Sequence, residues 1–387
     1  MSLEARGLNT RNAVLIGVLL GAVLLYLLYQ LFLDFSLGGN SWKQGDWLIN
    51  QLSEPVRRGL FGSALLRASD VMGVSPLLLL VLLQGAVVTS IFSIVGFAVF
   101  KLGAPDKLIL LLLSPGFVIF FWFNDPQGSV RKEILAYLSF LPLIVVAARG
   151  RGGLLACALS TAAYAIAMAA HEANVFFLPF LLLALWLVLP SGTTMKVRLL
   201  ILVIPTLLAL GGGLYASANT HVPDAGVICE QVVERGLDPK ICDGAIEYLE
   251  RSPDEAHMHP SRLVSTHFMN FLLLYALCLV SVRVLLQGSE HQESWLWSVI
   301  GSGLVFSPLY ILAGDYGRWL NFHVTSVGLL SLVFLAKVRP AWLYQKPGRV
   351  DYACIVILSL LIGVSHSPGE PIDGFLLKLA HAIHDAM

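Results

Sequence analysis

The chain has 387 residues, of which 57% are hydrophobic and only 13% are charged, and its 25 basic residues equal its 25 acidic ones. Soluble domains are typically charged at nearly twice that level, so the composition argues against a soluble protein with a large core. The balanced charge gives no indication of nucleic acid as a partner, and the long apolar runs predict an all-α, polytopic membrane protein.

Eleven apolar segments are long enough, or nearly so, to cross a bilayer, which takes about 20 residues per helix. The first is too long for the apolar part of a signal peptide and lacks a clear cleavage site, so it is predicted to be a membrane span. We expect all eleven to form a single integral membrane domain over residues 1–387. The predicted spans are residues 12–34, 76–100, 107–123, 134–148, 153–170, 174–190, 197–216, 267–287, 295–313, 319–337 and 351–364.

Lysine and arginine in short loops predict the orientation, because these residues are enriched on the cytoplasmic side of a membrane. They place the N-terminus inside and, with eleven spans, the C-terminus outside. The residues that define the cytoplasmic side are Arg6, Arg11, Lys101, Lys107, Arg149, Arg151, Lys196, Arg198, Lys337, Arg339, Lys346 and Arg349.

Between the first two spans, residues 53–69 are predicted to form a helix that lies on the membrane. Ser53 is the expected N-cap, with Pro55 in the first turn, and an apolar stripe follows at helical spacing. Two interpretations of its arginines stay open: they contact lipid phosphate, or they bind a substrate.

Four polar segments fall on the predicted outer side, although they lie far apart in the sequence. Charge at membrane depth is expensive and usually faces a cavity or a partner, so their convergence at one face predicts a functional site. The segments are "GDWLINQLSEPVRRGLFG" (45–62), "NDPQGSVRKE" (124–133), "HEAN" (171–174) and "GDYGRW" (314–319).

Residues 217–266 form the one long outer loop, and this loop contains Cys229 and Cys242. Outside the cytoplasm these two cysteines are predicted to form a disulfide. Their spacing is not that of a zinc site, which disfavours the metal alternative. Cys157, Cys278 and Cys354 lie in spans and are expected to be packing residues.

The residue types in the four segments suggest an anionic ligand, because arginine donates paired hydrogen bonds and keeps its charge in a dry site. One of the acidic residues, or His171, is a candidate general base toward a hydroxyl group. The alternative is a set of structural salt bridges. The candidate ligand-binding residues are Arg57, Arg58, Arg131, Lys132, Arg318, Tyr316 and Asp125, and the candidate catalytic residues are Glu172, His171, Asp315 and Glu133.

Other patterns narrow the chemistry. Val175 occupies the position of the second histidine in a zinc-protease helix, so "HEANV" does not match that motif. No glycine-rich phosphate loop is present, which disfavours cytoplasmic nucleotide use. Trp319 is expected to be a membrane-interface anchor rather than a platform for a sugar ring.

"GDWLIN", "VRRGLFG", "RKE", "HE" and "GDYGRW" occur in this order. The series resembles the Wzy-type polysaccharide polymerases, many of which carry D-W-x-I-N, V-R-R-G-L-x-G and D-W-G-R-W elements. The resemblance covers residues from about 45 to 323 as scattered short motifs. Tyr316 stands where a tryptophan is typical, and the 217–266 loop has no recognisable counterpart.

The resemblance implies a bacterial inner-membrane glycosyltransferase whose active site faces the periplasm. Donor and acceptor would both be undecaprenyl-diphosphate-linked glycans, membrane lipid would surround the protein, and a chain-length regulator is a possible protein partner. Arg57, Arg58, Arg131 and Arg318 match the basic positions of the family motifs. No cofactor is expected, because arginines can stabilise a leaving diphosphate where another enzyme uses a metal ion.

Three alternatives remain open. A related O-antigen ligase would move the glycan onto lipid A core instead of extending a chain. A transferase that uses sugars on polyprenyl phosphate would share the outer charges, although an acidic pair is typical in its first outer loop and Asp46 stands alone. A flippase or transporter of lipid-linked sugars would bury its charges near the bilayer midplane. No pore pattern supports a channel or a structural subunit.

Overall fold

Helices make up almost all regular structure in the computed structural model, which describes residues 8–220, 222, 224–250, 266–312, 314–367 and 371–386. Six of the helices in these ranges are long and apolar enough to cross a membrane. The prediction of an all-α, polytopic bundle is confirmed.

The first half of the described chain contains α1 (Thr10–Ser36), α2 (Lys43–Leu48), α3 (Gly59–Met72), α4 (Pro76–Lys101), α5 (Asp106–Leu112), α6 (Val118–Asn124), α7 (Ile134–Leu138), α8 (Phe140–Arg149), α9 (Gly153–Ala170), a 3-10 helix (Glu172–Phe177) and α10 (Leu178–Val188).

The second half contains α11 (Met195–Ala218), α12 (Gly226–Val233), 3-10 helices at Pro239–Cys242 and Glu247–Glu250, α13 (Thr266–Leu286), α14 (Gln292–Ser302), a 3-10 helix (Gly303–Phe306), α15 (Ser307–Leu312), α16 (Tyr316–Val338), a 3-10 helix (Ala341–Tyr344), α17 (Arg349–Leu361), strands β1 (Ile362–Val364) and β2 (Pro371–Asp373), and α18 (Phe375–Ala386).

Helix α16 is the centre of the bundle. Most of its length is buried, and it packs mainly against α8 and α10. Helices α1 and α4 pack on each other at the side of the bundle, with much of their surface left apolar and exposed, as expected for helices that face lipid.

The predicted span 107–123 is not one helix. It is broken into α5 and α6 around Pro115, because proline cannot donate a helical hydrogen bond. The side-chain amide of Asn321 donates to the carbonyl of Gly116 (3.0 Å), so a backbone acceptor at the break is satisfied inside the protein. Gly116 also lies so close to Cys278 that a side chain would not fit there.

The predicted helix over 53–69 begins later than expected. Ser53 is not its N-cap, because α3 starts at Gly59 and is preceded by Arg58 in a left-handed conformation (φ 67°). Gly62 packs against the carbonyl of Ile49, where an added Cβ would lie 2.0 Å from the oxygen. This close return of the chain fixes the start of α3 and overrides the local capping pattern.

The predicted last span, 351–364, ends as a helix at Leu361 and continues as β1. Strand β1 pairs antiparallel with β2, with Ile362 opposite Asp373 and Val364 opposite Pro371.

The predicted disulfide is confirmed: Cys229 and Cys242 are bonded, and they link α12 to the following 3-10 helix.

Several of the basic residues predicted to share one side of the membrane do share one end of the bundle. Lys101 and Arg149 both lie over the ring of Phe97, at 6.0 and 5.8 Å from its centre. Arg339 donates to the carbonyl of Ala148 (3.3 Å). Arg6 lies outside the described residues. We call this the opposite end, in contrast to the end that carries the four polar segments.

Candidate functional site

The four polar segments meet at one end of the bundle, at the ends of α2, α9 and α16 and before α3 and α7. Their charged side chains form one largely buried group, which we call the charged cluster. Its members are Asp46, Arg57, Arg58, Arg131, Lys132, Glu133, His171, Glu172, Asp315 and Arg318.

On one side of the cluster, Arg58 and Glu172 form a multiply hydrogen-bonded ion pair. The guanidinium of Arg58 donates from Nε to both carboxylate oxygens of Glu172 (2.9 and 3.0 Å) and from Nη2 to Oε1 (2.6 Å). The left-handed backbone of Arg58 aims its side chain toward Glu172, which follows α9. Glu172 therefore has little remaining capacity to accept a proton from a substrate.

Lys132 and Asp46 join the "RKE" segment to this ion pair. The Lys132 ammonium donates to the carbonyl of Arg58 (2.9 Å), and its backbone N–H lies 3.5 Å from Asp46 Oδ2. Burial lowers the pKa of Lys132 to about 8, although Asp46 opposes the shift. Burial alone would raise the pKa of Asp46, but Lys132 and Arg58 lower it, so this buried carboxylate is charged.

Glu133 lies between His171 and Arg318. Its Oε1 is 3.6 Å from His171 Nε2 and 3.3 Å from Arg318 Nη1. Both oxygens are buried, and neither has a hydrogen-bond partner among the described residues. Burial alone would raise the pKa of Glu133, but the Arg318 guanidinium lowers it. Glu133 is thus a charged carboxylate with unused acceptor capacity, which is rare in a buried site.

One hydrogen bond of His171 indicates its tautomer. The backbone N–H of Ala173 donates to Nδ1 (3.0 Å), so the ring proton of neutral His171 lies on Nε2, on the side of Glu133. Burial, with a smaller contribution from Arg58, lowers the pKa of His171 to about 4. At neutral pH this imidazole is uncharged and presents a donor to Glu133, which makes Glu133 the better candidate for the base.

Asp315 and Arg318 close the cluster from the first turn of α16. Their side chains pair at 2.8 Å, and Arg318 also lies over the ring of Trp319 at 4.3 Å. The expectation that Trp319 anchors the protein in the membrane interface is wrong. Its ring is buried and packs edge-on against His171, 6.5 Å away between ring centres.

Three arginines keep unused hydrogen-bond donors. The Nε atoms of Arg57, Arg131 and Arg318 are buried without a partner in the described part of the chain. Arg131 has no carboxylate within 4 Å there, and its guanidinium lies over Trp42 at 5.6 Å. Burial, followed by repulsion from Arg318, lowers the pKa of Arg131.

The turn that carries Arg131 is held in a strained conformation. Val130 has a φ of 59°, a genuine outlier for a β-branched residue. Its carbonyl accepts from the indole of Trp47 (2.9 Å) and from the amide of Gln84 (3.1 Å). Buried strain of this kind persists only where the surroundings over-determine it, and it is common at functional sites.

Asp125 and Tyr316, two of the predicted binding residues, lie in other surroundings. Asp125 accepts from the backbone N–H of Gly128 (3.1 Å), and its Oδ2 lies 2.7 Å from His366 Nδ1. Tyr316 is buried, with its ring centre 5.2 Å from that of Phe271. Both residues hold neighbouring segments in place in this structure.

The segment that follows β1 is part of the site, and the sequence did not suggest this. The N–H of Arg318 donates to the carbonyl of His366 (3.3 Å), so α16 begins against this segment. An added Cβ on Gly128 would lie 2.4 Å from the Cβ of His366, and one on Gly317 would lie 1.8 Å from the carbonyl of Ser365. Glycine at both positions, in "NDPQG" and "GDYGR", permits the approach.

Asp46 was also missed as a site residue; no charged residue is adjacent to it in the sequence. Its position in the sequence could have identified it, because it directly precedes the apolar Trp47 and Leu48 within the "GDWLIN" motif.

Among the described residues, no group of three or more His, Cys, Asp or Glu side chains is arranged to hold a metal ion.

Comparisons with protein-family models, with curated proteins and with solved structures give no match. Function is therefore inferred from the cluster itself and from the short motifs that contain it.

Proposed function

We propose that the protein is a membrane glycosyltransferase of the polysaccharide-polymerase type, which acts on undecaprenyl-diphosphate-linked glycans at the periplasmic face of a bacterial inner membrane. The observation that carries the proposal is the buried excess of positive charge around Glu133. Five cationic side chains, Arg57, Arg58, Arg131, Lys132 and Arg318, face four carboxylates, Asp46, Glu133, Glu172 and Asp315, with His171 neutral.

Such an excess suggests that a ligand supplies negative charge. An uncompensated buried charge is strongly destabilising, and a bound anion would remove that penalty. The free Nε donors of Arg131 and Arg318 suit a diphosphate, because each guanidinium can bond two phosphate oxygens at once. The cluster lies at the ends of apolar helices, so a polyprenyl tail could stay in the bilayer while the diphosphate is bound.

The residues have distinct roles in the proposed transfer. A hydroxyl oxygen of the acceptor attacks the anomeric carbon of the donor, and the bond from that carbon to the diphosphate oxygen breaks. Arg131 and Arg318 stabilise the charge that develops on the leaving diphosphate, and the hydroxyl proton passes to Glu133. Arg58, Glu172 and Asp315 hold these groups in position through the ion pairs described above.

Diphosphate binding would also raise the pKa of Glu133, the proposed base. Arg318 lies 3.3 Å from Glu133 and holds the carboxylate in its weakly basic form. When phosphate oxygens engage the Arg318 guanidinium, its pull on Glu133 weakens and the pKa of Glu133 rises. The base becomes stronger only when the donor is present, which limits wasteful reaction with water.

The direct test is reconstitution in liposomes with lipid-linked repeat units, followed by gel analysis of the glycans. A ladder is the expected result, and it requires Glu133 and Arg318. A single transferred unit would identify a ligase, and movement of intact substrate across the bilayer without a new glycosidic bond would identify a transporter. Arg235→Ala is the matched control, because Arg235 makes a paired contact with Asp70 (2.8 and 2.9 Å) outside the cluster.

A further inference from the structure

Trp42 and Tyr248 form an aromatic surface beside the charged cluster. Their ring centres are 5.8 Å apart at an angle of 60°, and Trp42 is 41% exposed. Arg131, which has no carboxylate partner in the described part of the chain, lies 5.6 Å from the centre of the Trp42 ring. A large, partly exposed aromatic ring therefore lies next to one of the arginines that form the proposed diphosphate site.

The loop that contains the disulfide packs against the chain beside Trp42. The N–H of Ala245 donates to the carbonyl of Ser41 (3.1 Å), and an added Cβ on Gly244 would lie 2.7 Å from that oxygen. An added Cβ on Gly45 would lie equally close to the carbonyl oxygen of Ile241 (2.7 Å). The Cys229–Cys242 bond lies just before these contacts and restrains the loop that carries Tyr248. The loop thus fixes one aromatic ring against the other.

Polar groups border the same surface. The side-chain oxygen of Asn40 accepts from the backbone N–H groups of Trp42 (3.0 Å) and Lys43 (2.9 Å). The side-chain amide of Asn40 donates to Gln127 (3.1 Å) in an exposed pair. An aromatic face edged by amides has the chemistry of a saccharide site, since C–H groups of a sugar ring contact the negative face of the aromatic ring and its hydroxyls bond the amides.

We propose that Trp42 and Tyr248 form the subsite for the sugar that is linked directly to the diphosphate of the donor. This inference rests on the proposed function, because it takes the diphosphate at Arg131 as the reference point. Trp42 holds the sugar ring over the indole, and the adjacent Arg131 holds the phosphate to which that sugar is attached. The subsite aligns the anomeric carbon relative to Glu133, and it takes no part in proton transfer.

The experiment measures the affinity of the full-length protein in nanodiscs for three probes: undecaprenol, undecaprenyl diphosphate and undecaprenyl diphosphate N-acetylglucosamine. The ratio between the last two isolates the sugar. We expect the glycosylated lipid to bind wild type about five- to tenfold more tightly than undecaprenyl diphosphate, and Trp42→Ala to abolish this preference. Trp42→Phe should retain part of it.

Trp186→Ala is the matched control. Trp186 is 44% exposed and lies under Arg198 at 4.9 Å, so it reproduces the tryptophan–arginine pair of Trp42 away from the cluster. This variant should keep the full sugar preference. Thermal unfolding of each variant shows whether it is folded.

The experiment distinguishes failure of the proposed function from failure of the sugar subsite. If wild type binds undecaprenyl diphosphate no more tightly than undecaprenol, the diphosphate site and with it the proposed function are wrong. If the diphosphate binds but the sugar adds no affinity, or if a folded Trp42→Ala protein keeps the sugar preference, the subsite alone is wrong.

Discussion

The two ends of the bundle use their cations differently. At the opposite end, the Lys107 ammonium donates to the carbonyls of Gln287 and Trp342, the latter at 2.8 Å, and Arg198 donates to the carbonyls of Pro190 and Thr193 at 3.0 Å. These cations hold neighbouring turns together, and backbone carbonyls accept their hydrogen bonds. In the charged cluster, cations share carboxylates and still keep donors that have no partner among the described residues. Cations with free donors can accept an anionic ligand, and satisfied ones cannot.

The contrast between the two ends requires first that they face opposite sides of the membrane. A topology experiment answers this with a yes or a no. Reporter fusions after Gly150 and after Gly288 should report cytoplasm, and a fusion after Thr220 should report periplasm. The reason is the distribution of lysine and arginine in short loops. A cytoplasmic signal at Thr220 would put the cluster on the wrong side for periplasmic chemistry.

The largest graded effect is expected for Glu133→Gln. The amide keeps the size of the side chain but cannot accept the acceptor proton as a carboxylate does, so kcat should fall on the order of 10³-fold. Donor affinity should stay equal or rise, because Arg318 loses a competing carboxylate. The measurement is chain extension alongside binding of undecaprenyl diphosphate. A variant within tenfold of wild-type kcat would rule out Glu133 as the base.

Arg318 should show the next largest effect. Arg318→Ala should be inactive, and Arg318→Lys should be nearly inactive although stably inserted, because lysine lacks the paired donors. Loss of one charged donor to the developing anion costs roughly 2–4 kcal/mol, or a hundredfold or more in rate. Activity is compared at matched protein level, with Arg235→Ala as control. Wild-type activity in Arg318→Ala would make Arg318 a packing residue.

A smaller effect is expected from pH through Lys132, whose pKa burial lowers to about 8. Lys132 is charged below this pH and becomes neutral as the pH rises through it, so affinity for the donor should weaken above about pH 8. Undecaprenyl diphosphate N-acetylglucosamine is the suitable probe, because its diphosphate diester keeps a constant charge in this range. Lys132→Arg should remove the dependence. The assignment fails if wild-type affinity is constant from pH 7 to 10.

The smallest catalytic effect is expected at the opposite end. Lys107→Met leaves the carbonyls of Gln287 and Trp342 without their donor, which should destabilise the fold by about 1–3 kcal/mol. The folded protein should keep kcat within about twofold of wild type, since Lys107 holds a turn and is not part of the cluster. Thermal unfolding and chain extension measured on the same sample test this. A selective loss of kcat would remove the distinction between the two ends.

The sequence predicts those features that depend on local patterns. Long apolar runs define the helices, and the polar residues at their ends identify most of the cluster, because a charged residue that follows a span must lie near the membrane surface. Cys229 and Cys242 are the two cysteines in the long loop, so their bond could be predicted as well. These predictions require no knowledge of how the helices pack.

Features that depend on tertiary contacts could not be predicted. Ser53 has the pattern of a helix cap, but the packing of Gly62 on Ile49 and the ion pair of Arg58 move the start of α3. The contribution of His366 depends on two glycines in distant segments, and nothing near His366 in the sequence indicates them. Trp319 is buried because the cluster forms around it, whereas its sequence position alone is typical of an interface anchor.

The contact between His366 and the start of α16 has a consequence for biosynthesis. The cluster and the His366 segment that contacts it span residues from Asp46 to His366, so they cannot be assembled until nearly all predicted spans have left the ribosome. At about 5–20 residues per second, roughly 15–60 s separate the synthesis of Asp46 from that of His366. Throughout that interval the early arginines lack their final partners, and the nascent chain holds an incomplete cluster.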